Sequence, residues 1–440
     1  PGSQEAEVEQ TVPAEEPPVT IAPDPGISVL PVTNISLDTL GVYDEKSGGM
    51  PFNVWQGSDH KQIKKLLAAQ PETIPSQTVR TLLARLLLTT ARPPQSDNIQ
   101  QTIFLPRVES LLYLDEVEQA KRLIGLVPQE LKKEPLARAE FTAHLLSGDT
   151  DWVCGHIGEA LSSYTSDSHD WQAISAYCLA KAKKEMEVRL ALDVMAEQGR
   201  SLPEAYAELV EVMLGKRERV EAKLKAPVTL HAAALFALNG QNPFPDGYVK
   251  TAPLPIARLI AQNDRFADYM RNDAKARLQQ AHAAEAMERG TQTLMAWFEE
   301  RFAENTQSPV HFSRLVHEME AKSGTRKDEN RLRRAFRLYT LLDALGYANQ
   351  AQARLSAEDA VAKAEQVQLI SPIMLAEIAD SFAAGKLGEG VLQVALLAGG
   401  LDSFATADDA GVAALVRLLR ANGLEKDARS LAAEAMISLF

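Results

Sequence analysis

The sequence predicts an all-α protein built from helical hairpins. Alanine and leucine are abundant while aromatic residues make up only 6% of the 440 residues, and this composition favours helices over strands. Four predicted helix turns also recur at a 34-residue spacing, each after an apolar or small pair, at Asp115, Asp149, Lys183 and Arg217. A fixed period in the thirties with helical patterning indicates that successive hairpins stack on one another.

Residues 1–34 are predicted to form a disordered, acidic, proline-rich tether. Residues 1–26 carry six acids and no basic residue, and six prolines lie among the first 25 residues. Such a composition cannot bury enough apolar surface to offset the entropy of the chain. A stalk of this kind suits a body held near a membrane, and it is also typical of a flexible cytosolic tail. The opening Pro-Gly-Ser is typical of a cloning remnant and leaves open a native leader or membrane anchor.

Residues 35–58 differ from the tether because apolar side chains are dense there, from Ile35 through Tyr43 to Trp55. We predict an extended strap that packs on the helical body, with Trp55 as its anchor. The alternative interpretation is a short linear motif that a partner protein binds.

Residues 59–240 are predicted to form an N-terminal array of helical hairpins. The first pair covers 59–70 and 76–91, with Asp59 and Ser76 as N-caps. Helices of this length are unstable alone, so stacking on neighbours must stabilise them. The second helix carries a clear apolar stripe at Val79, Leu82, Leu83, Leu86 and Leu87.

The hairpins resemble tetratricopeptide (TPR) repeats. The best match is the hairpin from Val412 to Met436, which has Gly423 at its turn and Ala428 and Ala435 at the offsets of that family. Gly346 with Ala351 and Gly385 with Gly390 repeat the turn signal. The resemblance implies a right-handed α-solenoid in two arrays, over 59–240 and 331–440. It implies nothing about which partner is bound.

The two predicted arrays flank an irregular central segment, residues 241–330. Prolines and glycines interrupt every potential helical turn between Asn239 and Pro255. Helical patterns then resume, with less regular spacing than in the arrays. We therefore expect this segment to connect the arrays without repeating their pattern.

A basic cluster follows the centre of the chain and is a candidate docking patch. The formal net charge of the chain is −13, and nothing in the composition predicts the basic face expected of a nucleic-acid-binding protein. The cluster suits an acidic partner or membrane headgroups, and it equally suits a solvated helix face with internal ion pairs. Its members are Arg326, Lys327, Arg333, Arg334 and Arg337.

The two cysteines form a candidate disulfide. Cys154 and Cys178 lie at equal distances from Ser166, in the predicted turn between two helices. Positions equidistant from the turn of an antiparallel hairpin lie side by side, at a separation that a disulfide can span. A bond would indicate an oxidising compartment such as the periplasm. The alternative is a pair of buried free thiols.

No catalytic or metal-binding pattern stands out. Cys154 and His156 point to different sides of a helix, and His317 lacks a second histidine four residues later. The glycines from Gly385 to Gly390 have the wrong spacing for a phosphate-binding loop and are typical of a repeat turn. The sequence therefore predicts no enzyme, no cofactor and no metal site.

These features favour a binding protein. We expect a scaffold or adaptor that binds a partner protein or peptide on its solenoid surface, in a cell-wall, secretion or motility machine of the bacterial envelope. Two alternatives stay open, namely a subunit of an envelope enzyme such as a peptidoglycan-processing complex, and a cytosolic adaptor. The expected location is the periplasm, with the cytoplasm as the alternative.

Overall fold

The computed structural model describes residues 36–95, 102–164, 169–199, 201–279 and 367–437, together with several positions between 337 and 346. Within these residues the regular secondary structure is helical and no β-strand is present. The prediction of an all-α protein is thereby confirmed. The predicted tether and most of the candidate docking patch lie outside the described residues.

Twelve labelled helices precede residue 263. They are α1 His60–Ala68, α2 Gln77–Leu87, α3 Phe104–Tyr113, α4 Val117–Gly125, α5 Glu134–Leu146, α6 Thr150–Ser163, α7 His169–Lys181, α8 Glu185–Glu197, α9 Glu204–Met213, α10 Leu230–Leu238, α11 Tyr248–Thr251 and α12 Leu254–Gln262. Residues 268–279 are also helical. The C-terminal helices are α13 Pro372–Ala383, α14 Leu387–Gly399, α15 Asp409–Ala421 and α16 Glu425–Ile437.

The first two helices begin at the N-caps that the sequence predicts. The Asp59 carboxylate accepts hydrogen bonds from the backbone N–H groups of Lys61 and Gln62. The Ser76 hydroxyl accepts one from the N–H of Val79. Each cap satisfies N–H groups that have no partner within the helix.

The hairpin turns share one backbone geometry. The N–H of Glu116 donates to the carbonyl of Leu111 at 2.9 Å, and the N–H of Asp149 donates to that of His144 at 2.9 Å. A hydrogen bond of this kind, from an N–H to the carbonyl five residues earlier, closes a Schellman motif. In that motif the residue before the donor has a left-handed backbone conformation. Residues with positive φ stand at Asp115, Gly148, Lys183, Gly215, Gly385 and Gly423. The turns therefore recur close to the spacing that the sequence predicts.

Successive helices pack on each other from α3 to α8, each against the next in the chain, and α9 packs on α7. The regularity ends at α10, which packs on α5 and on α12. Near the C-terminus, α13 pairs with α14 and α15 pairs with α16.

The C-terminal helices also pack directly on the first helices of the body. Helix α2 lies against α14 and α16, and α1 lies against α14. Arg85 of α2 forms an ion pair with Asp427 of α16 at 2.8 Å, and Gln70 donates to the carbonyl of Leu392 at 3.2 Å. Nothing in the sequence pattern predicted this contact between the two groups of helices.

Residues 36–58, the described part of the strap, run along the segment that follows α2. The N–H of Val42 donates to the carbonyl of Leu88 at 2.8 Å, and the N–H of Arg92 donates to that of Phe52 at 2.8 Å. At Gly41 a Cβ atom would lie 2.1 Å from the backbone nitrogen of Thr90. This close approach requires glycine, since any side chain would push the strap away.

Arg107 of α3 is fully buried and holds the strap against the end of α2. Its guanidinium donates to the carbonyl oxygens of Leu87 at 2.8 Å, Asp38 at 3.1 Å and Thr89 at 3.1 Å. Burial lowers the pKa of Arg107 to about 10, although the nearby charge of Asp38 opposes that shift. The guanidinium thus stays charged at neutral pH and satisfies three carbonyl groups inside the core.

Candidate binding groove

A groove lies where α1 meets the C-terminal helices α13 and α14. Its cavity has a volume of about 560 Å³, within the range of pockets that bind small molecules or peptide side chains. One part of its lining is apolar, contributed by Leu66, Ala69, Met374 and Leu396. The rest is polar or charged, contributed by Gln62, Lys65, Glu377, Asp380, Ser381, Lys386, Glu389 and Gln393.

Glu389 is the most buried charged group in the groove, with 5% of its surface exposed. The nearest cation is the Lys386 ammonium, 3.5 Å from Oε2 of Glu389. That distance is longer than a charge-assisted hydrogen bond, and Oε2 has no hydrogen-bond donor among the described residues. Oε1 of Gln393, one helical turn further along α14, likewise has no donor within the described part of the chain.

The strap positions the helix that carries Glu389. Trp55 is almost completely buried, and its ring lies so close to Gly388 that a Cβ atom there would be 2.5 Å from it. The N–H of Gly388 also donates to the carbonyl of Val54 at 2.8 Å. Trp55, which the sequence singled out as an anchor, thus lies against the first turn of α14, directly before Glu389.

The turn between α13 and α14 fixes the other polar side of the groove. Gly385 has a φ of 72°, and the following N–H of Lys386 donates to the carbonyl of Ser381 at 2.9 Å. This Schellman geometry brings the end of α13 and the start of α14 to the same wall of the groove. The run from Gly385 to Gly390, interpreted from sequence as a repeat turn, therefore also carries the groove's buried carboxylate.

Cys154 and Cys178 are paired as a disulfide between α6 and α7, and their Cα atoms are 5.3 Å apart. The structure thus brings together the two residues that the symmetry of the predicted hairpin placed side by side. The disulfide does not line the groove.

The candidate docking patch is represented in the described residues by Arg337 alone. Its guanidinium donates to the carbonyl of Ala407 at 3.3 Å and to that of Phe404, and it forms an ion pair with Asp409 at 3.2 Å. Arg337 has only 2% of its surface exposed, so it supports the packing before α15 instead of presenting a charge to a partner. Arg326, Lys327, Arg333 and Arg334 lie outside the described residues.

A second cavity, of about 410 Å³, lies beside α5 and α6. Trp152 lines it, but both faces of its indole ring are covered by histidines. The ring of His144 is 3.7 Å away and that of His156 is 4.1 Å away, both stacked. No face of this indole is left for a ligand to stack on, so we regard the groove at α14 as the better candidate.

Among the described residues, no group of three or more His, Cys, Asp or Glu side chains is placed to hold a metal ion. None of the helices in the described ranges combines the length and the apolar character needed to cross a bilayer.

Comparison with known proteins found no counterpart: the chain matches no protein-family model, no curated protein and no solved structure.

Proposed function

We propose that this protein is a non-enzymatic scaffold or adaptor of the bacterial cell envelope, which binds a peptide segment of a partner protein in the groove at α14. The partner would belong to a cell-wall, secretion or motility machine. In this proposal the hairpins form a TPR-like, right-handed solenoid, whose stacked helices keep the binding surface rigid.

The groove is the observation that carries the proposal. It combines an apolar wall with charged groups and is assembled from elements at both ends of the body, α1 and the α13–α14 hairpin. A peptide needs both kinds of contact, since apolar contacts supply affinity and a few polar groups fix its orientation. Successive packing of α3 to α8 supports the solenoid part of the proposal.

The disulfide supports an envelope location. Disulfides form and persist in oxidising compartments such as the periplasm and are rare in the cytosol. Protein purified from its native host should therefore show a mass deficit of about 2 Da that disappears on reduction, as expected for one S–S bond. Free thiols in that material would favour the cytosolic alternative.

Peptide selection tests the groove directly. A displayed library of random peptides is selected on the full chain, and the selected peptides are then measured on two variants. Ala69→Trp fills the groove from an exposed position on its wall, whereas Ala196→Trp places the same side chain on an exposed position of α8, outside the groove. We expect binding to weaken at least about tenfold, or 1.4 kcal/mol, on Ala69→Trp only.

Equal binding to both variants would show that the peptides use another surface and would contradict the assignment of the groove. Retention of glycan strands from an envelope extract, without retention of any protein, would count against the scaffold and favour the envelope-enzyme subunit.

A further inference from the structure

We infer that the groove takes an arginine side chain of the bound peptide, with Glu389 as its counter-charge and Gln393 as a second acceptor. This inference rests on the proposed function and names the residue type that the groove recognises.

The unsatisfied acceptors are the first argument. Oε2 of Glu389 and Oε1 of Gln393 are both buried and receive no hydrogen bond from the described residues. A buried acceptor without a hydrogen-bond donor costs free energy, because it has lost its bonds to water without replacing them. A ligand that brings only donors would remove that cost, and a guanidinium group offers five N–H donors and no acceptor.

The spacing of the two acceptors favours arginine over lysine. Glu389 and Gln393 are four residues apart on α14, so they project from the same face of the helix about one turn apart. A planar guanidinium can direct separate N–H groups at two acceptors, whereas an ammonium acts as a point charge. Lys386 illustrates the difference, since its ammonium stays 3.5 Å from Glu389 and leaves Oε2 without a hydrogen bond.

The remaining lining suits the rest of an arginine side chain. Glu377, Asp380 and Glu389 oppose Lys65 and Lys386, so the lining carries one formal negative charge in excess that an incoming cation would neutralise. Leu66, Ala69, Met374 and Leu396 offer an apolar wall, against which the three methylene groups of arginine can pack while the charged end reaches the acceptors.

The experiment uses three pools of blocked hexapeptides, presented to the immobilised full-length protein and quantified by mass spectrometry after washing. The third position is arginine, citrulline or lysine in the respective pool, and the other positions are randomised among alanine, serine and leucine. Citrulline keeps the shape of arginine and removes its charge. We expect the arginine pool to be retained at least about tenfold more than the citrulline pool, with lysine between them.

Two variants localise the effect. Glu389→Gln keeps the size of the side chain and removes its charge, so the preference for arginine over citrulline should fall to near unity. Glu130→Gln alters an exposed carboxylate outside the groove and should leave the preference unchanged. The comparison of pools on the unaltered protein does not depend on whether either variant folds.

Equal retention of the arginine and citrulline pools, or retention of none of the three, would overturn the inference. In either case displayed peptides that lose affinity on Ala69→Trp would still support the groove as a peptide site. A preference for arginine that survives Glu389→Gln, in a variant shown to be folded, would overturn the assignment of Glu389 as the counter-charge.

Discussion

Gly388 is the position where one missing side chain lets the strap and α14 meet. A Cβ atom there would lie 2.5 Å from the ring of Trp55, and that ring is buried and cannot swing aside. We expect Gly388→Ala to lower the free energy of unfolding by about 1–3 kcal/mol, because overpacking forces the strap and the helix apart. Urea denaturation of the two proteins measures the difference.

Gly158 provides the matched control for that substitution. It lies inside α6, and an added Cβ would meet nothing within 4 Å. Gly158→Ala should therefore stabilise the protein by about 0.5–1 kcal/mol, since alanine favours the helix over the unfolded chain. Effects of the same sign at the two glycines would contradict the close contact between Gly388 and Trp55.

Glu434 of α16 is a titratable residue whose side chain lies at the contact between α16 and α2. Its carboxylate accepts hydrogen bonds from the hydroxyl of Ser76 at 3.0 Å and from the N–H of Thr78 at 3.2 Å. Burial raises the pKa of Glu434 above its ordinary value of 4.5, and these hydrogen bonds oppose the shift. The folded protein therefore holds this proton more tightly than the unfolded chain does, and the contribution of Glu434 to stability falls as the pH rises through the raised pKa.

Glu434→Gln removes this titration. Relative to the variant, the unaltered protein should gain stability when the pH is lowered from about 8 to about 4, which is below the ordinary pKa of 4.5. Urea denaturation at both pH values gives the difference, and Glu130→Gln serves as an exposed control. If the free energies of unfolding of Glu434→Gln and the unaltered protein differ by the same amount at both pH values, Glu434 does not titrate with a raised pKa.

At the scale of elements, the α6–α7 hairpin is held by a covalent link. Cys154 and Cys178 are 24 residues apart in sequence, and closing a loop of that length reduces the entropy of the unfolded chain enough to stabilise the fold by about 3.5 kcal/mol. We expect dithiothreitol to lower the free energy of unfolding by about that amount. The double variant Cys154→Ser, Cys178→Ser should be as unstable as the reduced protein and should no longer respond to the reductant.

For the whole molecule, the consequence of the packing is that distant parts of the chain should unfold together. Helix α2 lies against α14 and α16, and Leu86 within it is fully buried. Leu86→Ala should cost about 2–5 kcal/mol, as for other buried leucines. In hydrogen exchange followed by mass spectrometry, amides of α14 and α16 should lose protection along with those of α2.

A substitution that creates a cavity in another part of the protein serves as the comparison. Leu209→Ala removes a buried side chain from α9, whose main packing partner among the described helices is α7. In the Leu209→Ala protein, the amides of α7 and α9 should lose protection from hydrogen exchange before those of α14. Loss of protection confined to α2 in the Leu86→Ala protein would show that the C-terminal helices are an independent unit.

Local patterns in the sequence were enough to predict the helical class, the N-caps at Asp59 and Ser76 and the recurrence of the turns. Caps, turns and apolar stripes depend on residues within a few positions of each other, so they can be predicted from the sequence alone. The proximity of Cys154 and Cys178 was also accessible, since it follows from the symmetry of one hairpin, whereas the sequence left open whether the two thiols are bonded. Burial of Trp55 agrees with its choice as an anchor, and that choice needed only the apolar character of the strap.

Only the tertiary structure decided which helix faces meet. The bond from Gln70 to the carbonyl of Leu392 spans 322 positions, and no periodicity reports a contact of that range. From the sequence, Glu389 is one of several polar residues in a repeat turn, and only the packing of α1 and α13 around it places it in a groove. Arg337 belongs to a charged cluster in the sequence, and only the tertiary structure shows that it is buried. Burial and charge environment arise from elements distant in sequence, which is why the groove was beyond prediction from the chain alone.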